Sequence, residues 1–448
     1  MKLFTATLFS CALFFSCQKE DDLDRLGAID FSRPAAIGGR MMSGYSNGAL
    51  YPKAQENAIP QLFFDRIEVH GGGAFSTPVI SNEDGVGNNP KPWTSIFQTK
   101  SDLEMRSDCE GVVSLGPVKS LYQTAPLSDL DQNASNVNGQ YQCAPFATLR
   151  NMLNPNFGLS FSNGNPFPYY HRMASNPGTS TMIDELIEYN PSFLTAWFGM
   201  EEVASYAQTG GTSGTLMHPV DFEVKLDSIM SILADNGTKG VLFTIPDVKQ
   251  LPYFQLVQYD GANLSQGQAD SLDELYKGIN APHVAFNEGP NPFICWDPDA
   301  PQGFRQLKNG ELITLTVPLD SMRCDGLGVY LGRFLKDQYY LSLDEVSQLD
   351  QAIQSYNLAL TNIAAKYDFA LFDANTYFKS VESGVVWNGA DFDFEFVSGG
   401  FVGLDGFYPN QKGSALITNE VIRTVNDYYG TQIPNVNCAS CDGVLFPD

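Results

Sequence analysis

Pro34-Ala35-Ala36-Ile37-Gly38-Gly39-Arg40-Met41-Met42-Ser43-Gly44 reads as a short buried strand that ends in a glycine turn. Ala35 to Gly38 is apolar without alternation, the pattern of a strand covered on both faces. Arg40 is the first side chain after the glycine pair. Its guanidinium stays protonated at any working pH, so this position cannot supply a nucleophile.

Outward from this strand, the chain alternates buried strands with amphipathic helices. A helix is expected over Ala54 to Phe64, then long loops through residues 70–165, which are rich in Gly, Asn, Pro and Ser. Order returns with a helix at Met182 to Tyr189 and a strand at Phe193 to Phe198. A helix at Asp221 to Leu233 and strands at Val241 to Ile245 and Leu312 to Val317 follow. Ser342-Leu343-Asp344-Glu345 has the form of a capping box, and Val346, Leu349, Ile353, Tyr356, Leu360 and Ile363 recur at helical spacing behind it. A strand at Phe369 to Phe372 precedes a last helix from Ser414, with Ile417, Val421, Val425 and Tyr428 on one face and a stop at Gly430. Such alternation predicts a parallel sheet covered on both faces, with function at the carboxyl ends of its strands. Residues 38–44 and 199–202 fall at two such ends.

The chain has 448 residues, 43% hydrophobic and 12% aromatic, which is a globular composition with room for a sizeable core. Its formal charge of −25 repels phosphates and argues against nucleic-acid binding. No G-x-x-x-x-G-K loop occurs, which argues against a nucleotide-hydrolysing machine.

Residues 1–16 read as a signal peptide: Lys2, the short apolar run Leu3 to Phe15, then Leu13-Phe14-Phe15-Ser16-Cys17, which resembles a bacterial lipobox. Cys17 is the expected lipidation site (acyl chains of the palmitate class), with residues 17–32 as a tether. Gln18-Lys19-Glu20-Asp21-Asp22 resembles the acidic signal that places lipoproteins of the Bacteroidota on the outer face of the outer membrane; a solvated linker fits it equally well. No later stretch reaches 18 apolar residues, so the expected state is anchored to the membrane rather than spanning it.

Beyond Cys11 in the signal segment and Cys17, six cysteines remain, Cys109, Cys143, Cys295, Cys324, Cys438 and Cys441. They allow fifteen pairings, and sequence neighbours are the expected ones: Cys109 with Cys143, Cys295 with Cys324, and Cys438 with Cys441 in the tail at 437–448. That C-x-x-C could instead be redox-active or half a metal site, but no second C-x-x-C or nearby histidine supports this.

Three blocks in order carry a resemblance to SGNH (GDSL) hydrolase-like surface lipoproteins of the Bacteroidota, over about Arg33 to Pro434. Ile37-Gly38-Gly39-Arg40 with Gly44-Tyr45-Ser46-Asn47-Gly48-Ala49-Leu50 resembles the first, Gly-Asp-Ser through Gly-Tyr-x-Asp-Gly-Ala-Leu. Ala196-Trp197-Phe198-Gly199-Met200-Glu201-Glu202 resembles Trp-x-Gly-x-Asn-Asp. Leu404-Asp405-Gly406-Phe407-Tyr408-Pro409 resembles Leu-Asp-Gly-x-His-Pro. The resemblance implies a three-layer α/β sandwich with a flavodoxin-like parallel sheet and long loop insertions, as one domain over residues 33–436.

Position by position, the resemblance places Arg40 at the nucleophile, Glu201 at the oxyanion asparagine and Tyr408 at the histidine base. A second-block glycine falls on Phe146, and only Asp405 keeps the family residue. Hydrolysis needs a nucleophile, a base and oxyanion donors, so this set implies a site without catalytic residues. Arg40 is expected to pair with Glu201 or Asp405.

Other motifs carry less. Gly44-Tyr45-Ser46-Asn47-Gly48 fits G-x-S-x-G, but the strand ends six residues earlier, where an elbow needs it adjacent. Ser43 has no evident histidine partner. His70, His171, His218 and His283 lack metal-binding spacing, so neither metal nor cofactor is expected. Asp391-Phe392-Asp393-Phe394-Glu395 suggests an exposed strand face before a calcium site.

The expected function is that of a non-catalytic, lipid-anchored outer-membrane protein. By analogy with its relatives it would act as a binding or scaffold subunit of an outer-membrane β-barrel complex for assembly or transport. Two alternatives stand beside it: an extracellular SGNH-type esterase or lipase with a rearranged nucleophile, and a pocket that binds a ligand without turning it over.

Overall fold

A computed structural model describes residues 25–88, 97–119, 129–130 and 139–447. The signal segment, Cys11, Cys17 and the acidic tether residues 18–22 lie outside the described residues.

Five strands form one parallel sheet: β1 (Pro34–Gly38), β2 (Tyr141–Cys143), β3 (Phe193–Trp197), β4 (Lys239–Phe243) and β5 (Ala370–Phe372). In space they run 2-1-3-4-5. The chain leaves β1 toward β2 and then crosses back to β3, so the order reverses between β1 and β3. A crevice opens at such a reversal, outside the carboxyl ends of the strands. Register fixes what meets there. Gly38 pairs with Cys143 on one side and Trp197 on the other, so three strands end level.

Nearly every sheet residue is buried, which requires cover on both faces. Helices α1 (Arg40–Ser43), α2 (Ile59–Glu68), α3 (Met182–Tyr189), α4 (Met200–Gln208), α5 (Pro219–Asp235), α6 (Leu343–Tyr367) and α7 (Gln411–Tyr429) surround it. α6 packs on α5 and α7 on α2, and α6 and α7 both lie on β4 and β5. The expected capping box opens α6: Ser342 Oγ accepts from the Glu345 amide, and Glu345 Oε2 accepts from the Ser342 amide. A second box, Thr181 with Asp184, opens α3. No helix among the described residues is long and apolar enough to cross a membrane.

Several expectations need correction. The helix expected over Ala54 to Phe64 is two helices, Pro52–Glu56 and α2, because Ile59-Pro60 restarts the chain: proline fits the first helical turn but not an interior. Residues 70–165 are not only loops. They hold β2 and a long antiparallel hairpin, Ser101–Ser107 with Val113–Lys119. Leu312 to Val317 is no sheet strand; Leu312–Ile313 alone pairs, antiparallel, with Tyr340–Leu341. It belongs to an insertion with its own small core, including Tyr276, Ile294, Cys295, Phe304 and Leu335, carried on short antiparallel pairs.

The neighbour pairing of cysteines is also overturned. Cys109, near the tip of the long hairpin, bonds Cys324, 215 residues away, at the end of the helix Leu319–Cys324. The ion pair of Arg323 with Asp108 reinforces that junction. Cys143 is sealed in β2 and Cys295 in the insertion core, so neither reaches its sequence neighbour. Cys438 and Cys441 are buried thiols. Cys438 is held by the Asn419 Nδ2 of α7, 3.3 Å from its sulfur, as the tail docks on that helix.

Candidate functional site

The level ends of β1, β2 and β3 bring Arg40, Phe146 and Glu201 together from three separate parts of the chain. Arg40 and Glu201 are each only 3% exposed. One carboxylate oxygen of Glu201 takes Arg40 Nε at 2.7 Å and Nη2 at 2.5 Å. The other accepts the Arg40 backbone amide at 2.8 Å. Both oxygens of Glu201 are therefore committed to Arg40. Burial works against the charge on Arg40, but the adjacent Glu201 carboxylate, joined by Tyr408 and Tyr45, outweighs it and holds the guanidinium charged.

The fit is tight. A Cβ added at Gly39 would lie 2.3 Å from Glu201 Oε2, so only glycine lets the turn pass the carboxylate. Arg40 Nη1 donates to Gln208 Oε1 at 2.8 Å and Nη2 to Ser205 Oγ at 3.3 Å. Glu201, Ser205 and Gln208 share a face of α4 at spacings of four and three, a pattern present in the sequence but not read there. Three rings close around the cation: Phe146 at 4.6 Å, Tyr408 at 5.0 Å and Tyr45 at 5.9 Å from the guanidinium carbon.

Phe146 holds φ +64°, left-handed backbone that favours glycine and is strained for a bulky residue. Tyr408 is fully enclosed, and its hydroxyl lies 3.3 Å from Gln208 Oε1. Burial pushes its phenol well above the usual tyrosine range, so it stays protonated and serves poorly as a base.

Asp405 does not pair with Arg40. One of its oxygens accepts the amides of Phe407 and Tyr408, each at 2.8 Å, and the other accepts the Gly48 amide at 2.9 Å. It ties the turn after β1 to the loop before α7. The expected pairing of Arg40 with a carboxylate is thus made by Glu201.

Arg40, Tyr45, Phe146, Asp405 and Tyr408 line a cleft of about 1360 Å³ that the hairpin residues Arg106 and Leu115 and the helix residue Leu319 also wall. Glu202, next to the clasped Glu201, lines it too. Its Oε1 accepts from the Leu149 amide, and its Oε2 is buried without a partner. Burial pushes the Glu202 carboxyl up to about 7.

The other sequence candidates fall elsewhere. Ser43 Oγ donates to the Arg40 carbonyl at 3.2 Å, a bond within its own turn. Ser46 sits in the two-residue strand Tyr45–Ser46, away from any strand-to-helix elbow. No histidine lines the cleft. His171 and His283 bond the backbone carbonyls of Gly158 and Phe304. Among the described residues no cluster suits a metal ion. Asp391 lies on the exposed side of the hairpin Val385–Trp387 with Ala390–Phe392.

No protein-family model matches the chain, and no curated protein matches it either. Among solved structures it is similar to LAE5, an alpha/beta hydrolase enzyme from the metagenome of Lake Arreo, Spain, at 10% identity and a TM-score of 0.26. That similarity covers 65% of this chain and 73% of that one.

Proposed function

We propose that this chain is a non-catalytic protein of the SGNH-like class whose former catalytic centre has become a structural clasp. It would be lipid-anchored through Cys17 at the outer membrane and serve as a binding or scaffold subunit for an outer-membrane β-barrel. The carrying observation is the position of Arg40. It occupies the turn where the family's serine would stand, and both oxygens of Glu201, at the oxyanion position, are bound to it.

Other features support the same reading. The spatial order 2-1-3-4-5 is that of a flavodoxin-like sheet, and the site lies at its reversal. Phe146 keeps a glycine-like backbone where the family has a glycine. Tyr408, at the base position, is enclosed and protonated. The membrane anchor and the barrel partner rest on the lipobox and on analogy alone.

The test is a mild-detergent pull-down of the full chain from native outer membranes, with bound proteins identified by mass spectrometry. A stoichiometric β-barrel partner supports the scaffold reading. Recovery of the protein alone, together with hydrolysis of ester substrates, would overturn it in favour of an esterase.

A further inference from the structure

The described chain opens at Arg25, and α7 fixes where it opens. The Arg25 carbonyl accepts the Gln432 amide at 2.7 Å, just beyond the Gly430 cap that ends that helix. A Cβ added at Gly27 would lie 3.7 Å from the Gly430 carbonyl oxygen. The amino ends of the strands gather around this point. Tyr429 donates its hydroxyl at 2.8 Å to the carbonyl of Gly240, the second residue of β4. Tyr428 donates at 2.8 Å to Asp368, the cap that ends α6, and Asp368 pairs with Lys239, the first residue of β4. Asp235, Asn236 and Gly237, at the turn into β4, are exposed on the same edge.

The cleft stands at the opposite end. α7 begins at Gln411, three residues after Tyr408, and its 19 residues rise about 28 Å to Tyr429. α6 begins just after Tyr340–Leu341, the strand paired with Leu312–Ile313, which leads into the cleft walls Leu315 to Asp320. Its 25 residues rise about 37 Å toward Asp368. Cys17 precedes Arg25 by eight residues, which span at most about 29 Å when fully stretched. An inverted pose, with the cleft opening onto lipid, needs that tether to run the length of α6 before it reaches the bilayer. It falls short.

Charge gives no competing pull. The formal charge of −25 repels anionic headgroups, and Lys239 on this edge is neutralised by Asp368. The short tether, rather than electrostatic attraction, sets which end meets the membrane.

We propose that the edge around Arg25, Asn236 and Tyr428 is the face apposed to the lipid bilayer, and that the cleft opens away from it into the medium. The orientation rests on the lipid-anchor reading of Cys17 and deepens it.

The experiment reconstitutes the full acylated chain in phosphatidylcholine vesicles, with or without a lipid carrying a nitroxide headgroup, which quenches at short range. A maleimide fluorophore is placed at Asn236→Cys on the proposed membrane face, or at Ser213→Cys, an exposed residue of the cleft wall. Cys143, Cys295, Cys438 and Cys441 are buried and stay unlabelled. Most of the emission should be lost at position 236 and none at position 213. Mass spectrometry of the N-terminal peptide separates two kinds of failure. A Cys17 without acyl chains overturns the anchor reading, and this orientation with it. An acylated chain quenched equally at both positions, or more strongly at 213, overturns the orientation alone. Both labels sit at exposed positions, so neither variant threatens the fold.

Discussion

Glu201 binds both the backbone amide and the guanidinium of Arg40, 161 residues earlier in the chain, so one carboxylate locks the ends of two neighbouring strands together. Both partners are nearly sealed from water. In that setting the pair itself adds little net stability, because desolvation offsets the attraction, whereas an orphaned partner is costly.

Glu201→Ala should therefore destabilise the protein by about 3–5 kcal/mol, since it strands a buried cation. The double variant Arg40→Met with Glu201→Leu should recover most of that loss. Denaturant unfolding of Arg40→Met alone, Glu201→Leu alone and the double variant gives the coupling directly. Additive losses would show that the two residues are not acting as a pair.

Placing a serine at position 40 should not create esterase chemistry. Arg40→Ser places a hydroxyl at the turn, but no histidine lines the cleft, and the Tyr408 phenol is held protonated by burial. Neither this variant nor the unchanged protein should hydrolyse p-nitrophenyl acetate above background or take up a fluorophosphonate probe. Stoichiometric labelling of the unchanged protein would contradict the non-catalytic reading.

Much of this site is legible in the amino-acid sequence. The apolar strand before Gly38-Gly39-Arg40 and the Trp197 to Glu201 stretch each mark a strand end, and parallel packing brings such ends together. The choice of Glu201 over Asp405 as the partner of Arg40 is not legible, because it depends on Asp405 being used up by three backbone amides. β2 is missed because Tyr141–Cys143 is only three residues long, too short to show a period inside a polar region. The Cys109–Cys324 bond is missed because it depends on where the hairpin folds over the insertion, which no local pattern encodes.

Gly39 provides a steric test of the clasp. An added Cβ would sit 2.3 Å from Glu201 Oε2 and 2.9 Å from Glu201 Cβ, neither of which can yield without breaking the pair. Gly39→Ala should cost about 1–3 kcal/mol or more, as overpacking does. Gly267, early in the helix Gln266–Gly278, has nothing within 4 Å of its added Cβ. Gly267→Ala should be neutral or stabilise by up to about 1 kcal/mol. Thermal melts of both variants check the contrast, and equal losses would mean that crowding at Glu201 is not what excludes a side chain at Gly39.

Glu202 should make stability depend on pH near neutrality. Burial raises its carboxyl from the ordinary 4.5 to about 7 in the folded chain. Between those values the folded state binds the proton and the unfolded state does not, so stability falls as pH rises. Below the lower value both states are protonated and this penalty vanishes; above the upper value it is fully present, at about 3 kcal/mol. Glu202→Gln keeps the acceptor for the Leu149 amide and removes the ionisation. The variant should match the unchanged protein at about pH 4.5 and exceed it increasingly up to about pH 8. Urea unfolding across that range decides the point, and a gap that stays constant with pH would show that Glu202 does not titrate in this window.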